Sequence, residues 1–452
     1  MTTNTQKMTL IEKVGFGTGD MALNVVISSM MLIISFFYTD IYGIKPVDLG
    51  LLFFTVKVVG AIADVVMGQI TDRVSFKGGR YRPWLLFLAV PYGISIYFTF
   101  LTPDFDYSAK LLWAYSTYIL VTLMTAGVGI PYISLPAVIT GNPQERLSAN
   151  GYRLFFAKIG AFMVTIVVPL LSEAWGGGNA AVGYQAAMAV MAAMGVVLFI
   201  FCALTTKERV VYQVQRQPLL DQFSLLMKND QWLLLCGACV TGTCGYVIRG
   251  SAAIYYAKYY LGASTAQVSL FLTTGVAAAI VSMVASTWIT KVYCKIKMFR
   301  NTQILTALVS LAMFLLVEPG DFMLALVLYF TLSFVVDLHA PVFWSAIPET
   351  IDYGQIRTGA RVSGLAFGGI SVCQKAGMAI AGVIFSALLV YFDYQPNQQQ
   401  TASTLTGIAM MLTVISGFFH FLTGVLMMKY RINDEYYVGM KAEMTKAGYV
   451  AG

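Results

Sequence analysis

The sequence predicts an all-α membrane protein of about twelve transmembrane helices in two six-helix halves. Three observations carry that prediction. First, 58% of the 452 residues are apolar and only 11% are charged. A soluble domain carries roughly 25% charge, so a water-soluble globule of this composition would expose large apolar patches and aggregate. A secreted disulfide scaffold, a coiled coil and a disordered tail are excluded by the same figures. Second, the apolar residues lie in runs near the roughly 20 residues that a membrane-crossing helix needs. Third, a polar stretch over 205–230 divides those runs six and six.

In order, the runs fall at about 18–38, 48–70, 83–102, 110–138, 152–174 and 184–204, each bounded by charge or by Gly and Pro clusters. After the polar stretch come runs at about 232–260, 266–290, 302–318, 322–346, 363–392 and 404–428. The expected organisation is an N-terminal half over 1–204, a linker over 205–230, a C-terminal half over 231–430 and a tail over 431–452. Residues 1–12 are polar and the first apolar run is too long for the core of a signal peptide, so no cleaved leader is expected.

Direction follows from the basic residues. Of the 29 Lys and Arg, 21 are assigned to one side, only Lys45, Lys110 and Lys258 (the last two at run ends) to the other, and five to the spans. That asymmetry predicts both termini in the cytoplasm of a bacterial inner membrane. It also accounts for the net charge of +7 without nucleic acid. Cys236-Gly-Ala-Cys239 has the spacing of a redox or zinc motif, but no further Cys pair or His accompanies it, and packing is the expected role. Gly15-Phe-Gly17-Thr-Gly19 lacks the preceding strand and following Lys-Ser/Thr of a nucleotide loop. Two halves joined by a polar loop suggest a transporter built from repeats, and no short pore motif of a channel is present.

The loop after the second run reads Gly68-Gln-Ile-Thr-Asp72-Arg73, then Lys77-Gly-Gly-Arg80-Tyr-Arg82-Pro83-Trp84. This resembles the loop signature of the major facilitator superfamily, in the form used by the glycoside–pentoside–hexuronide:cation symporters. Phe37-Tyr38-Thr39-Asp40, Ile130-Pro131-Tyr132, Ile351-Asp352-Tyr353-Gly354 and Gln374-Lys375-Ala-Gly377 follow the family's order along nearly the whole chain. Within that resemblance Asp72, Arg73, Asp352 and Arg361 read as latch residues. Charged loops beside helix ends can hold one state and release another.

Ionisable groups inside spans are costly and usually face a cavity or a partner. Apart from Asp48, Lys110, Glu173, Lys258 and Glu318 at run ends, the acids assigned to the spans are Asp20, Asp64 and Asp337; the bases are Lys57, Arg153, Lys158, Arg249 and Lys375. Asp20 and Lys158 fall near run ends, where snorkelling is open to each. His339 lies near mid-run among charges, whereas His420 lies in an aromatic stretch and reads as packing. The resemblance implies that Asp64 is the second of two coupling carboxylates in span two. The position of the first is Gly60, and the family's span-four threonine is Ala126. Few oxygen ligands remain for sodium, whereas a proton needs one carboxylate. Proton coupling through Asp64, tuned by Lys57 two turns away, is therefore favoured, with sodium possible and no other cofactor expected.

The family's sugar-binding carboxylates are likewise replaced, by Asn24 and Gly129, while Arg153 and Lys375 match its pocket bases. Five bases against three acids leave a positive surplus, which an anionic substrate would offset. The expected cargo is an acidic glycoside, either a hexuronide or a sulfonated sugar. A neutral glycoside or pentoside held by Asn24, Arg153 and Tyr132 is the alternative. Arg249, His339 and Trp344 complete the expected substrate site, Trp344 as a stacking surface near Pro341. The expected partners are the sugar, the coupling cation and lipid, around a monomer. A membrane enzyme acting on lipid-linked sugar would need a catalytic acid and a metal cluster at one face. Glu349 and Asp352 are its only candidates, and they fit the family loop. A sensor that has lost transport is disfavoured by the persistence of Asp64.

Overall fold

The computed structural model describes residues 7–74, 76, 78–140, 143–209, 219–360, 362 and 364–446. Ten helices among them are long and apolar enough to cross a membrane, and Leu10–Leu32 with Ile34–Ile41 makes an eleventh span, bent by 51°. The 18-residue helix Arg82–Thr99 lies where the third span is expected. The set is consistent with twelve spans. The described residues fall into two compact units, one drawn from Met1–Val214, Ser264–Thr273 and Gln395–Gln398, the other from Gln215–Ala263, Thr274–Tyr394 and Gln399–Gly452.

The first unit holds α1 (Leu10–Leu32), α2 (Ile34–Phe36), the π turn Phe37–Ile41, α3 (Pro46–Arg73), α4 (Arg82–Thr99), α5 (Tyr107–Ile139), α6 (Pro143–Gly176) and α7 (Ala180–Thr205). Helix α1 packs on α6 and α7, α4 on α5 and α7, and α3 on α5. The α1–α6 contact is close because Gly160 presents no side chain: a Cβ there would lie 2.7 Å from the Met21 carbonyl oxygen. Outward residues such as Leu51, Ile62, Phe87 and Leu112 are exposed and apolar, as befits helices whose solvent is lipid.

Helix α1 starts well before the apolar run. The Thr9 side chain accepts from the Glu12 amide, and Glu12 reaches back to the Thr9 amide, a reciprocal cap that nucleates helix within polar sequence. Asp20, expected near a span end, therefore sits ten residues into the helix, about 15 Å along it. The same correction applies to Lys158, because α6 begins at Pro143.

The second unit is ordered as α8 (Leu219–Met227), α9 (Asp230–Tyr255), the π turn Tyr256–Tyr260, α10 (Thr265–Ile289), α11 (Lys295–Leu316), α12 (Phe322–Asp337), α13 (Ala340–Thr358), α14 (Gly364–Tyr391), α15 (Ala402–Met410), the π turn Met411–Ile415, α16 (Ser416–Met428) and α17 (Asp434–Lys446), with the start of α10 counted in the first unit. Helix α9 packs on α14 and α16, and α11 packs on α12 and α16. The tenth run, expected to end near 346, instead breaks at Leu338–His339 and resumes to Thr358. Proline is well placed in a first turn, where its missing N–H goes unneeded, so Pro341 restarts the helix. Gly359, at φ 74°, ends it in a left-handed turn. Ile351–Gly354, expected in a loop, are thus helical.

Candidate transport site

In the first unit Asp20 on α1 faces Arg153 on α6, with Oδ2 3.4 Å from Nε. Their side chains are 15% and 26% exposed, so the pair is sheltered but reachable. Asn24, one turn beyond Asp20, spends its amide nitrogen on the Asp20 carbonyl at 2.9 Å. Asp20 was recognised in the sequence as a span acid but not as a site residue; its partnership with Arg153 joins two distant segments and leaves no local signal. Lys57 and Asp64 are half-buried on α3, seven residues apart, hence about 10 Å along one face. Tyr132 departs from the expectation. It is fully buried, stacks on Phe16 with centroids 5.1 Å apart, and donates its hydroxyl to the Phe16 carbonyl at 2.7 Å. In this structure the hydroxyl's proton is thus spent on a packing contact between α5 and α1 and does not face a cavity-side partner.

In the second unit Arg249 on α9 is 5% exposed and stacks over Tyr246, its guanidinium 5.6 Å from the ring centroid. Asp337 at the end of α12 and His339 at the helix break share its electrostatic neighbourhood, with Tyr329 beside them. His339 stacks on Phe299 at 4.8 Å and meets the Gln303 amide nitrogen at 3.0 Å. His420, read from sequence as packing in an aromatic stretch, is buried but bonded: its Nδ1 lies 2.8 Å from Gln303 Oε1. Gln303 had no signal in the sequence, since a glutamine in an apolar run resembles any other. Trp344 is half exposed, edge-on to Phe343, and Lys375 is half-buried on α14.

The expected latch residues divide. Asp72 lies in the last turns of α3, Arg73 is exposed, and Arg361 lies outside the described residues. Asp352 is fully buried and accepts from the Tyr437 hydroxyl at 2.8 Å. A stronger clasp went unforeseen. The Glu208 carboxylate accepts from the backbone amides of Arg80, Tyr81 and Arg82 at 2.7, 2.8 and 2.8 Å. Gly79 makes room for it: at φ 127°, a Cβ there would come within 2.7 Å of Glu208. Arg80 and Arg82 meanwhile donate through Nε to the carbonyls of Thr71 and Ala203. In the second unit Lys295 pairs with Glu349, and Arg357 with Asp230 at 2.6 Å. Among the described residues no cluster of His, Cys, Asp and Glu suits a metal ion. Cys236 and Cys239 are buried thiols beside Cys373.

A family model described as MFS/sugar transport protein matches residues 15–434. The chain belongs to that family. Members of this sugar-transport family are secondary transporters, so the protein is a multi-pass membrane transporter and not an enzyme. It is 33% identical over 432 residues to a putative glycoside/cation symporter of Escherichia coli, YagG, covering 95% of this chain and 93% of the relative. It is 28% identical to a glucuronide carrier protein homolog of the same organism, covering 93% and 92%. A crystal structure of a D-xylose-proton symporter superposes with a TM-score of 0.63 at 14% identity, covering 93% of this chain and 96% of that one. That likeness shows the major facilitator fold alone. The expected resemblance and the all-helical fold class both stand, and the protein is a sugar symporter whose partners are a small sugar and a coupling cation.

Proposed function

We propose that the protein imports an acidic glycoside, a hexuronide or a sulfonated sugar, together with a proton. The observation that carries the reading is the balance of buried charge. Apart from the charges at run ends, five bases and three acids are assigned to the spans, and one of those acids, Asp20, is engaged by Arg153. A net positive balance inside the spans is costly, and a carboxylate or sulfonate arriving with the sugar offsets it through charge-assisted hydrogen bonds. The likeness to a glucuronide carrier homolog supports the same class. In this reading Asp64 carries the proton, Lys57 occupies the site when no cation is bound, and Arg249, Lys375, Arg153 and Asn24 address the sugar. The positive-inside pattern supports an inner-membrane location with both termini cytoplasmic, and the reading takes the working unit to be a monomer.

A second reading is favoured by the Asp20–Arg153 pair itself. A guanidinium already facing a carboxylate offers both donors and acceptors, which suits the hydroxyls of a neutral glycoside. Counterflow in proteoliposomes against neutral, uronic and sulfonated sugars separates the two. Exchange confined to acidic sugars is expected; exchange confined to neutral ones would overturn the acidic reading. Uptake that responds to sodium at fixed pH and membrane potential would overturn the choice of proton.

A further inference from the structure

Gln303 on α11 is fully buried and joins two histidines from different helices. Its amide nitrogen approaches the Val336 carbonyl at 3.2 Å and His339 Nδ1 at 3.0 Å, while its Oε1 meets His420 Nδ1 at 2.8 Å. The Val336 carbonyl also lies 2.5 Å from His339 Nδ1, which donates to it, and it takes the NH2 end of Gln303 because only that end of the amide can donate. The oxygen then faces His420, and an amide oxygen only accepts. With the amide in that orientation, His420 donates from Nδ1 and its Nε2 keeps the lone pair.

That Nε2 has no hydrogen-bond partner among the described residues, and neither has Nη1 of Arg249. His420 is 1% exposed and Arg249 5%. The two belong to one place: a Cβ on Gly245 would lie 2.9 Å from His420 Nε2, and Arg249 is one helical turn beyond Gly245 on the same helix. A buried acceptor and a buried donor, both unsatisfied, are costly in a protein interior. Arg249 on α9 and His339 at the head of α13 are the charged and titratable groups around His420; Asp337, Tyr329 and Tyr246 surround Arg249 and His339 in turn.

We propose that Arg249 and His420 form a site for an acidic group and a proton taken together. The carboxylate or sulfonate accepts from Arg249 Nη1. A proton from the aqueous phase adds to the His420 Nε2 lone pair, and the new N–H donates to the same anion, while Nδ1–H stays on Gln303. A proton alone would set a second positive charge beside Arg249; proton and anion together leave the cluster's charge unchanged. Each therefore raises the other's affinity, by the same factor in both directions. This rests on the acidic-glycoside reading and adds to it a second proton carrier besides Asp64. The consequence is energetic. A monoanion with one proton crosses as a neutral complex, indifferent to membrane potential, whereas with two protons it moves one positive charge, worth about 2.3 kcal/mol per 100 mV.

The test uses the full chain in detergent and titration calorimetry at pH 7.5, in two buffers of different ionisation enthalpy, to count protons taken up on binding. Methyl glucuronide, methyl glucoside and inorganic sulfate are the probes; sulfate shows whether a free anion suffices. The wild type is expected to take up one more proton with the glucuronide than with the glucoside. His420→Asn keeps an amide N–H for Gln303 but has no atom at the Nε2 position. It should abolish that extra proton and weaken the glucuronide at least tenfold. Asp64→Asn should leave the difference between the two sugars intact, so failure of the Asp64 assignment is read separately. Should His420→Asn not fold, Arg249→Gln is expected to lose the same proton. An extra proton that survives both variants, or no difference between the sugars in the wild type, overturns the proposal. Absence of glucuronide binding to the wild type overturns the acidic reading and the proposal with it.

Discussion

Arg153→Gln removes the guanidinium from a sheltered pair and leaves the Asp20 carboxylate with no counter-charge at 3.4 Å. At an effective dielectric constant of about 20, two unit charges at that separation attract by roughly 5 kcal/mol. Desolvation of both groups offsets much of this, and partial exposure of each side chain screens more, leaving a net coupling of about 1–3 kcal/mol. Breaking one partner of a buried pair costs more than the pair contributes, because the survivor is stranded. The expected pattern is therefore non-additive. Arg153→Gln alone should slow counterflow and lower the yield of folded protein, Asp20→Asn alone should do so less, and the double variant should recover part of the loss. A coupling of about 2 kcal/mol corresponds to roughly 30-fold in affinity. The assay is substrate counterflow at saturating and limiting sugar, with folded protein quantified by gel filtration. If the double variant is as impaired as the product of the singles, Asp20 and Arg153 do not act as a pair and the site must be redrawn.

Asp64→Asn should abolish uphill accumulation under an imposed proton gradient while leaving exchange measurable, and retained accumulation would remove Asp64 from the coupling role. Lys375→Gln should weaken an acidic sugar roughly ten- to hundredfold more than its neutral analogue, the difference set by one charged hydrogen bond of about 1.5–3 kcal/mol; equal losses would assign Lys375 to hydroxyls or to structure. Glu208→Gln keeps the shape of the clasp but removes the charge that strengthens three backbone amides, a loss of about 3 kcal/mol at roughly 1 kcal/mol each. Faster tryptic cleavage after Arg80 is the expected readout, and an unchanged rate would show that the clasp does not hold the loop.

The long apolar helices and the family were legible in the one-dimensional string, because hydropathy and short loop motifs are local properties. The chemistry-bearing residue types were legible too: a charge inside an apolar run announces itself by its desolvation cost, which is how Asp20, Asp64, Arg153, Arg249 and Lys375 came forward. Partnership was not. Whether Arg153 meets Asp20 depends on α1 and α6 approaching closely at Gly160, and nothing near either residue in sequence encodes the other. Gln303 and His420 are polar groups without formal charge, so their burial is tolerated until one asks what each atom bonds to, and that question has an answer only when α11, α13 and α16 are side by side. Tyr132 shows the converse: its motif matched the family's pocket helix, whereas in the structure its hydroxyl donates to the Phe16 carbonyl. Hydropathy sets which segments enter the membrane because transfer free energy sums along one helix. Which polar atoms remain unsatisfied inside is decided by tertiary structure, since a hydrogen bond between helices exists only at a few ångströms' separation and a defined angle.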